Sequence, residues 1–123
     1  MRFVILIHSN PHPWAHPTSG HTAEYQALPQ EEKDRLQAHW EEVYGRAEAD
    51  GEVVYHCALA DPASSVVLRY GDRPVATDGP YAESTEHLAG FFVVEVDSRE
   101  RAVEIAEAFS CPGDTVEVRP AGG

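Results

Sequence analysis

Two apolar runs limit what this chain can fold into. Phe3–Ile7 and Phe91–Val96 consist almost entirely of aromatic and branched aliphatic residues at consecutive positions. A strand with one face in water alternates apolar and polar side chains, whereas a strand covered on both faces does not. The two runs therefore predict strands of a sheet whose two faces are both covered.

Two further segments have the periodicity of amphipathic helices. The first begins at Pro29, which suits a first helical turn, and ends before Gly51, which can adopt a left-handed conformation. The second is capped by Asp97-Ser98, with capping-box spacing from Asp97 to Glu100, and it stops at Cys111. Their apolar faces consist of Leu36, Trp40, Val43, Tyr44 and Ala47 in the first and of Ala102, Ile105, Ala106 and Phe109 in the second.

The other segments are predicted from their β-branched residues and their turn formers. Val53–Leu59 and Thr115–Arg119 are predicted strands, and Ser65–Tyr70 forms a hairpin with Val75–Thr77. The stretch from Asn10 to Leu28 has no periodicity and predicts a long loop. The order is therefore strand, helix, strand, hairpin, strand, helix, strand.

This order predicts one α+β domain over residues 1–123. Two helices cover one face of an antiparallel sheet in the split βαβ, ferredoxin-like arrangement, and the hairpin is an addition to it. The other sheet face also needs a cover, because the two apolar runs have no polar side. A second copy of the sheet provides one, so we predict a homodimer.

Charge and cysteine content narrow the classes of partner and compartment. The formal net charge of −12 argues against binding to nucleic acids or to anionic membrane surfaces, because both are bound through clusters of lysine and arginine. Phe3–Ile7 is too short for a membrane span or the core of a signal peptide. Cys57 and Cys111 lie far apart without a CxxC pattern, which favours unpaired thiols in a reduced, cytoplasmic protein.

A motif at Asp78–Glu83 (Asp-Gly-Pro-Tyr-Ala-Glu), followed by Leu88–Phe92, resembles the signature of the DGPF-type, YCII-related domain family. Tyr81 stands where that family usually has phenylalanine. Trp14 and the ending Val116–Pro120 extend the resemblance over nearly the whole chain. The resemblance implies a ferredoxin-like subunit and a dimeric α+β barrel, in which two sheets face each other around a pocket with histidine and aspartate.

The resemblance implies little about activity. A few relatives are associated with dehydrochlorination or lactone isomerisation in aromatic degradation. Other members are encoded near extracytoplasmic-function sigma factors, which suggests a sensing or accessory role.

Asp78 is the leading candidate for chemistry. A carboxylate held by a Gly-Pro turn can act as a general base or orient a histidine, although Asp78 can also simply cap the turn. His8, at the end of the first strand, could form an acid–base pair with it. His39 lies at the border of a helical apolar face, where it could reach a pocket or remain solvated. His56 lies in mid-strand, where it is either satisfied by a neighbour or lines the cavity between sheets.

The other polar clusters have weaker patterns. His12, His16 and His21 invite a zinc site, but their loose spacing favours a solvated loop. Glu83 and Glu86 are either a carboxylate pair or the solvated first turn of a short helix. No cofactor is predicted, since the chain has no phosphate-binding loop or nucleotide motif.

Two functions remain open on these observations. In the first, the protein is a cofactor-free isomerase or lyase that uses acid–base chemistry on a small organic molecule, with Asp78 and one of His39, His8 and His56. In the second, the same pocket binds a small ligand without catalysis in an accessory, regulatory or stress-related role. The enzyme needs a titratable pair in one pocket, whereas the binding protein needs only an apolar cavity.

Overall fold

The computed structural model describes residues 1–12, 14, 20–68, 70–71, 75–76 and 87–122. The strands are β1 (Arg2–Ser9), β2 (Val53–Ala58), β3 (Val66–Val67), β4 (Val75–Ala76), β5 (His87–Glu95) and β6 (Thr115–Pro120). The helices are α1 (Ala23–Gln26), α2 (Gln30–Ala49) and α3 (Arg99–Glu107). Within these residues, no helix is both long enough and apolar enough to cross a membrane.

The sheet confirms the predicted fold class. Its four strands lie in the order β2-β5-β1-β6 and every neighbouring pair is antiparallel, as in a ferredoxin-like α+β fold. The added hairpin is also present, with Val66 opposite Ala76 and Val67 opposite Val75. The first strand along the chain, β1, therefore lies inside the sheet, and the last strand, β6, lies beside it at one edge.

The two faces of the sheet have different burial. On the helix face, which we define by Phe3, Ile5 and Ile7, side chains are buried beneath α2 and α3. On the open face, defined by Val4, Leu6, His8, Phe91 and Val93, side chains are half-buried. Within the single chain the helices cover one face of β1 only. That a second copy covers the other face remains a prediction.

An aromatic cluster joins the helices to the helix face. The Phe109 ring lies 4.5 Å from that of Phe92 on β5 and 5.6 Å from that of Tyr44 on α2. Trp40 stacks on Tyr44 at 4.9 Å. The apolar faces predicted for the two helices thus meet in one core.

Helix starts differ from the sequence prediction in two places. Ser98, not Asp97, caps α3, because its hydroxyl accepts a hydrogen bond from the Arg101 amide at 3.1 Å. Of the predicted cap residues Asp97 and Ser98, the second is confirmed, and the capping box from Asp97 to Glu100 is wrong. The stretch predicted as a loop contains α1, which Thr22 caps by accepting from the Tyr25 amide.

An ion pair fixes α3 to the start of β2. Arg101 donates to both carboxylate oxygens of Glu52, with its Nε 3.0 Å from Oε2 and its Nη2 2.7 Å from Oε1. The pair is mostly shielded from solvent. The hydrogen bonds with Glu52 raise the pKa of Arg101 above its usual value.

Tyr44 is expected to titrate at strongly alkaline pH. Burial, together with the carboxylate of Glu48, raises its pKa from 10.0 to about 12. Because the folded value is the higher one, the stability that Tyr44 contributes is complete below about pH 10 and is lost as pH rises towards 12. The difference in tyrosinate absorbance between the wild type and Tyr44→Phe measures this step. A step near pH 10 would contradict the burial of this phenol in solution.

Candidate functional site

The end of β1 carries a histidine–carboxylate pair on the open face. His8 Nε2 lies 3.4 Å from Glu117 Oε1, and the two side chains are 34% and 36% exposed. His8 is opposite Thr115 and Leu6 is opposite Glu117, so the pair is diagonal across two strands. Diagonal neighbours on one face of a sheet are within reach of long side chains.

Arg119 fixes the charge of this pair. Its Nε donates to Glu117 Oε2 at 2.8 Å, and its Nη2 donates to the same oxygen. This hydrogen bond, and to a lesser degree that of His8, lowers the pKa of Glu117 below its usual value. Glu117 is therefore a carboxylate at neutral pH, and His8 faces an anion.

A second polar contact lies on the helix face at the same end of β1. Ser9 Oγ donates to Asp114 Oδ1 at 2.5 Å. On the other side, Ser9 is opposite His87, whose ring lies 6.4 Å from that of Trp14. This end of the sheet thus brings together residues of β1, β5, the start of β6 and the loop after β1.

A β-bulge in β5 lies just before both contacts along β1. The register of β1 with β5 shifts between Ile7 and His8, so that Gly90 and Leu88 are the partners and Ala89 is an extra residue. Without the shift, His87 would lie on the open face with Phe91, because side chains alternate along a strand. The bulge instead turns His87 towards Ser9 and leaves Leu88 beside His8.

The candidate histidines do not form one cluster. His56 is exposed on the edge strand β2, where its ring stacks on that of Phe92 at 5.7 Å. It shares the helix face with Phe92, whereas His8 is on the open face. His39 is exposed on α2, which covers the helix face. Among contacts between described residues, His8 is the one of the three with a carboxylate partner at this end of the sheet.

Several predicted residues lie outside the described part of the chain. They are Asp78, Glu83 and Glu86 of the motif and His16 of the histidine-rich loop. In that loop, His12 and His21 are joined through their main chains, with His12 N 2.7 Å from His21 O. Among described residues, no group of three or more histidine, cysteine, aspartate or glutamate side chains could hold a metal ion.

Four of the residues that meet at this end were not predicted from the sequence: Ser9, His87, Asp114 and Glu117. The alternation in Thr115–Arg119 was the available signal, because it puts Glu117 on the polar side of the last strand. Its partner depends on β6 lying beside β1 and on their register, and neither can be derived from one sequence.

Two comparisons with known proteins bear on the chain. The family model described as the YCII-related domain matches residues 1–120. The comparison with curated proteins found no match.

Proposed function

The chain belongs to the YCII-related domain family, and on that premise we propose that it acts on a small organic molecule by acid–base chemistry. The observation that carries the proposal is the His8–Glu117 pair, half-buried on the open face with its atoms 3.4 Å apart. A histidine beside a fixed carboxylate is a recurring arrangement for moving protons near neutral pH.

The roles follow from the contact. When Nε2 of His8 carries the proton, it donates to the Glu117 carboxylate, and the lone pair of Nδ1 remains as the base. Nδ1 takes a proton from an acidic carbon of the substrate, and the carboxylate stabilises the imidazolium that forms. In an isomerisation the proton returns to a different carbon. In an elimination the electron pair expels a leaving group such as chloride.

Asp78 supplies a second carboxylate in this proposed function, in addition to Glu117. It precedes His87 by nine residues, and His87 is the register partner of Ser9, next to His8. The motif therefore connects directly to the end of the sheet that carries the His8–Glu117 pair. In this role Asp78 accepts or returns the substrate proton, or orients the imidazole.

Solvent deuterium provides a test without a known substrate. The protein is incubated in heavy water with unsaturated γ-lactones and with chlorinated analogues, and carbon-bound deuterium or released chloride is measured. The acid–base function predicts exchange or elimination above the buffer rate for at least one class. If no compound of either class reacts faster than in buffer, the catalytic proposal is wrong for this substrate range.

Non-catalytic binding is the second candidate, and the half-buried apolar residues of the open face favour it. They provide an apolar surface that binds a ligand without proton transfer. In the same samples, binding alone predicts chemical-shift changes at Leu6 and Phe91 with no deuterium in the ligand. Such a result would support the accessory role over the enzyme.

We also propose that a second copy of the chain covers the open face. Among the described residues, the charged side chains of its strands pair with one another, since Arg2 Nε donates to Glu95 at 2.8 Å and Arg119 donates to Glu117. The face is therefore close to neutral in a chain of net charge −12, so two copies can approach it with little repulsion. In such a dimer, the apolar side chains between the two ion pairs are buried against the second copy.

Replacing Leu6 with glutamate is expected to convert the dimer into a monomer. The new carboxylate lies opposite Glu117 and enters the interface once from each copy, where burial without a partner is costly. Sedimentation velocity at micromolar concentration measures the change, with Val103→Glu on the exposed side of α3 as the control. A wild-type monomer, or a Leu6→Glu dimer, would show that the open face is not the interface.

A further inference from the structure

The Ser9–Asp114 contact extends the pairing of β1 with β6 by one step. The last main-chain pair of this ladder is His8 with Thr115, and the next positions in the same register are Ser9 and Asp114. There the strands are joined by side chains instead, with Ser9 Oγ 2.5 Å from Asp114 Oδ1. Ser9 is 4% exposed, so its hydroxyl is not open to a substrate.

The other flank of β1 is interrupted at the same point. The bulge between Ile7 and His8 breaks the register with β5, and such bulges locally disrupt a ladder and re-aim side chains. The carbonyl of the extra residue, Ala89, accepts from the Leu59 amide at 2.8 Å on the opposite side of β5, which continues the pairing of β5 with β2. At the end of β1, the pairing with β6 is therefore regular, whereas the pairing with β5 is interrupted.

His8 and Ser9 are consecutive residues that contact β6 on opposite faces of the sheet. His8 contacts Glu117 on the open face and Ser9 contacts Asp114 on the helix face. If the end of β1 rotates enough to break the His8–Glu117 contact, the Ser9–Asp114 hydrogen bond is strained as well, and the reverse is also true. The two contacts together therefore fix the direction of the imidazole.

We propose that Ser9 and Asp114 are positioning residues that hold His8 Nε2 against Glu117. The inference rests on the proposed function, because it concerns the orientation of the same imidazole. Asp114 accepts a hydrogen bond from the Ser9 hydroxyl, so the end of β1 is held against β6 and His8 stays within reach of Glu117. Neither residue touches the substrate in this arrangement.

The pKa of Glu117 reports on this positioning. Its carboxyl faces Arg119 and His8, and both lower its pKa. On the other flank of His8 the partner is the uncharged Leu88, while His87 faces Ser9. Loss of the His8 contact should therefore raise the pKa of Glu117.

The test is a carbon-13 NMR titration of the Glu117 carboxyl in a set of variants. His8→Gln is expected to raise the pKa of Glu117, and Ser9→Ala is expected to raise it by a similar amount. The double variant should add nothing beyond His8→Gln, because both changes remove the same contact. Ser9→Thr keeps a hydroxyl and should restore the wild-type value. Ser64→Ala, which removes a hydroxyl that donates to Asp61 O, is the control.

Asp114→Ala separates positioning from charge. Removal of a nearby negative charge would by itself lower the pKa of Glu117, whereas release of His8 raises it. A rise therefore supports the proposal. A wild-type value in Ser9→Ala, with a raised value in His8→Gln, would overturn it while leaving the His8–Glu117 pair intact. No change in His8→Gln would instead remove the pair on which the proposed function rests.

Discussion

Replacing Phe109 with alanine is expected to destabilise the protein by roughly 3–5 kcal/mol, the largest effect of any single change considered. Phe109 is 1% exposed. Its ring contacts those of Phe92, Tyr44 and Trp40, at 4.5, 5.6 and 6.2 Å. Truncation leaves a cavity between α2, α3 and the sheet that three rigid rings cannot close. Urea denaturation followed by circular dichroism measures the loss.

Tyr70→Ala is the matched control for Phe109→Ala. It removes an aromatic ring that is fully exposed, so its effect should stay within about 0.5 kcal/mol. Because a domain of this size has a stability of roughly 5–15 kcal/mol, Phe109→Ala can still fold. A loss below about 1 kcal/mol would contradict the central place of Phe109 in the core.

Replacing Gly113 with alanine is expected to cost roughly 2–3 kcal/mol, from positive φ and crowding combined. Gly113 has φ of +92°. An added Cβ would lie 3.0 Å from both Cβ and Oγ1 of Thr22, and 2.3 Å from Oε2 of Glu24. The Glu24 carboxylate can move aside, but Thr22 is 2% exposed and donates to Pro112 O, so it cannot.

Gly51→Ala isolates the backbone contribution. Gly51 has φ of +75°, and an added Cβ would meet nothing within 4 Å. Its loss should be roughly 1–2 kcal/mol, which is the cost of the left-handed conformation alone. Equal losses in the two variants, measured by the same denaturation, would show that the turn at Gly113 does not pack against Thr22 in solution.

The fold could be predicted from the sequence because its signals are local. Apolar periodicity located α2, and β-branched runs located β1 and β5, each within a few residues of their observed bounds. The hairpin of β3 and β4 followed from the turn formers Gly71–Pro74. The capping box at Asp97 was wrong because Ser98 has the same capping chemistry one position later, and periodicity cannot separate adjacent caps.

The candidate site could be predicted only in part because it is made by register. His8 was recognisable as a histidine at the end of a buried strand. Glu117 becomes its partner only because β6 lies beside β1 with Leu6 opposite Glu117. The turn of His87 away from the open face depends on a single extra residue, Ala89, in β5. Such a register shift cannot be recognised from the apolar periodicity of the sequence.

In the proposed function, His8, held by Glu117, moves the substrate proton. The most direct test compares the rate of deuterium incorporation into a reactive lactone for the wild type and for His8→Gln, with His39→Gln as the control. We expect a rate roughly 10²- to 10⁴-fold lower for His8→Gln, the usual contribution of general acid–base catalysis. His39→Gln should match the wild type, because His39 is exposed on α2. Exchange by His8→Gln at the wild-type rate would contradict the account.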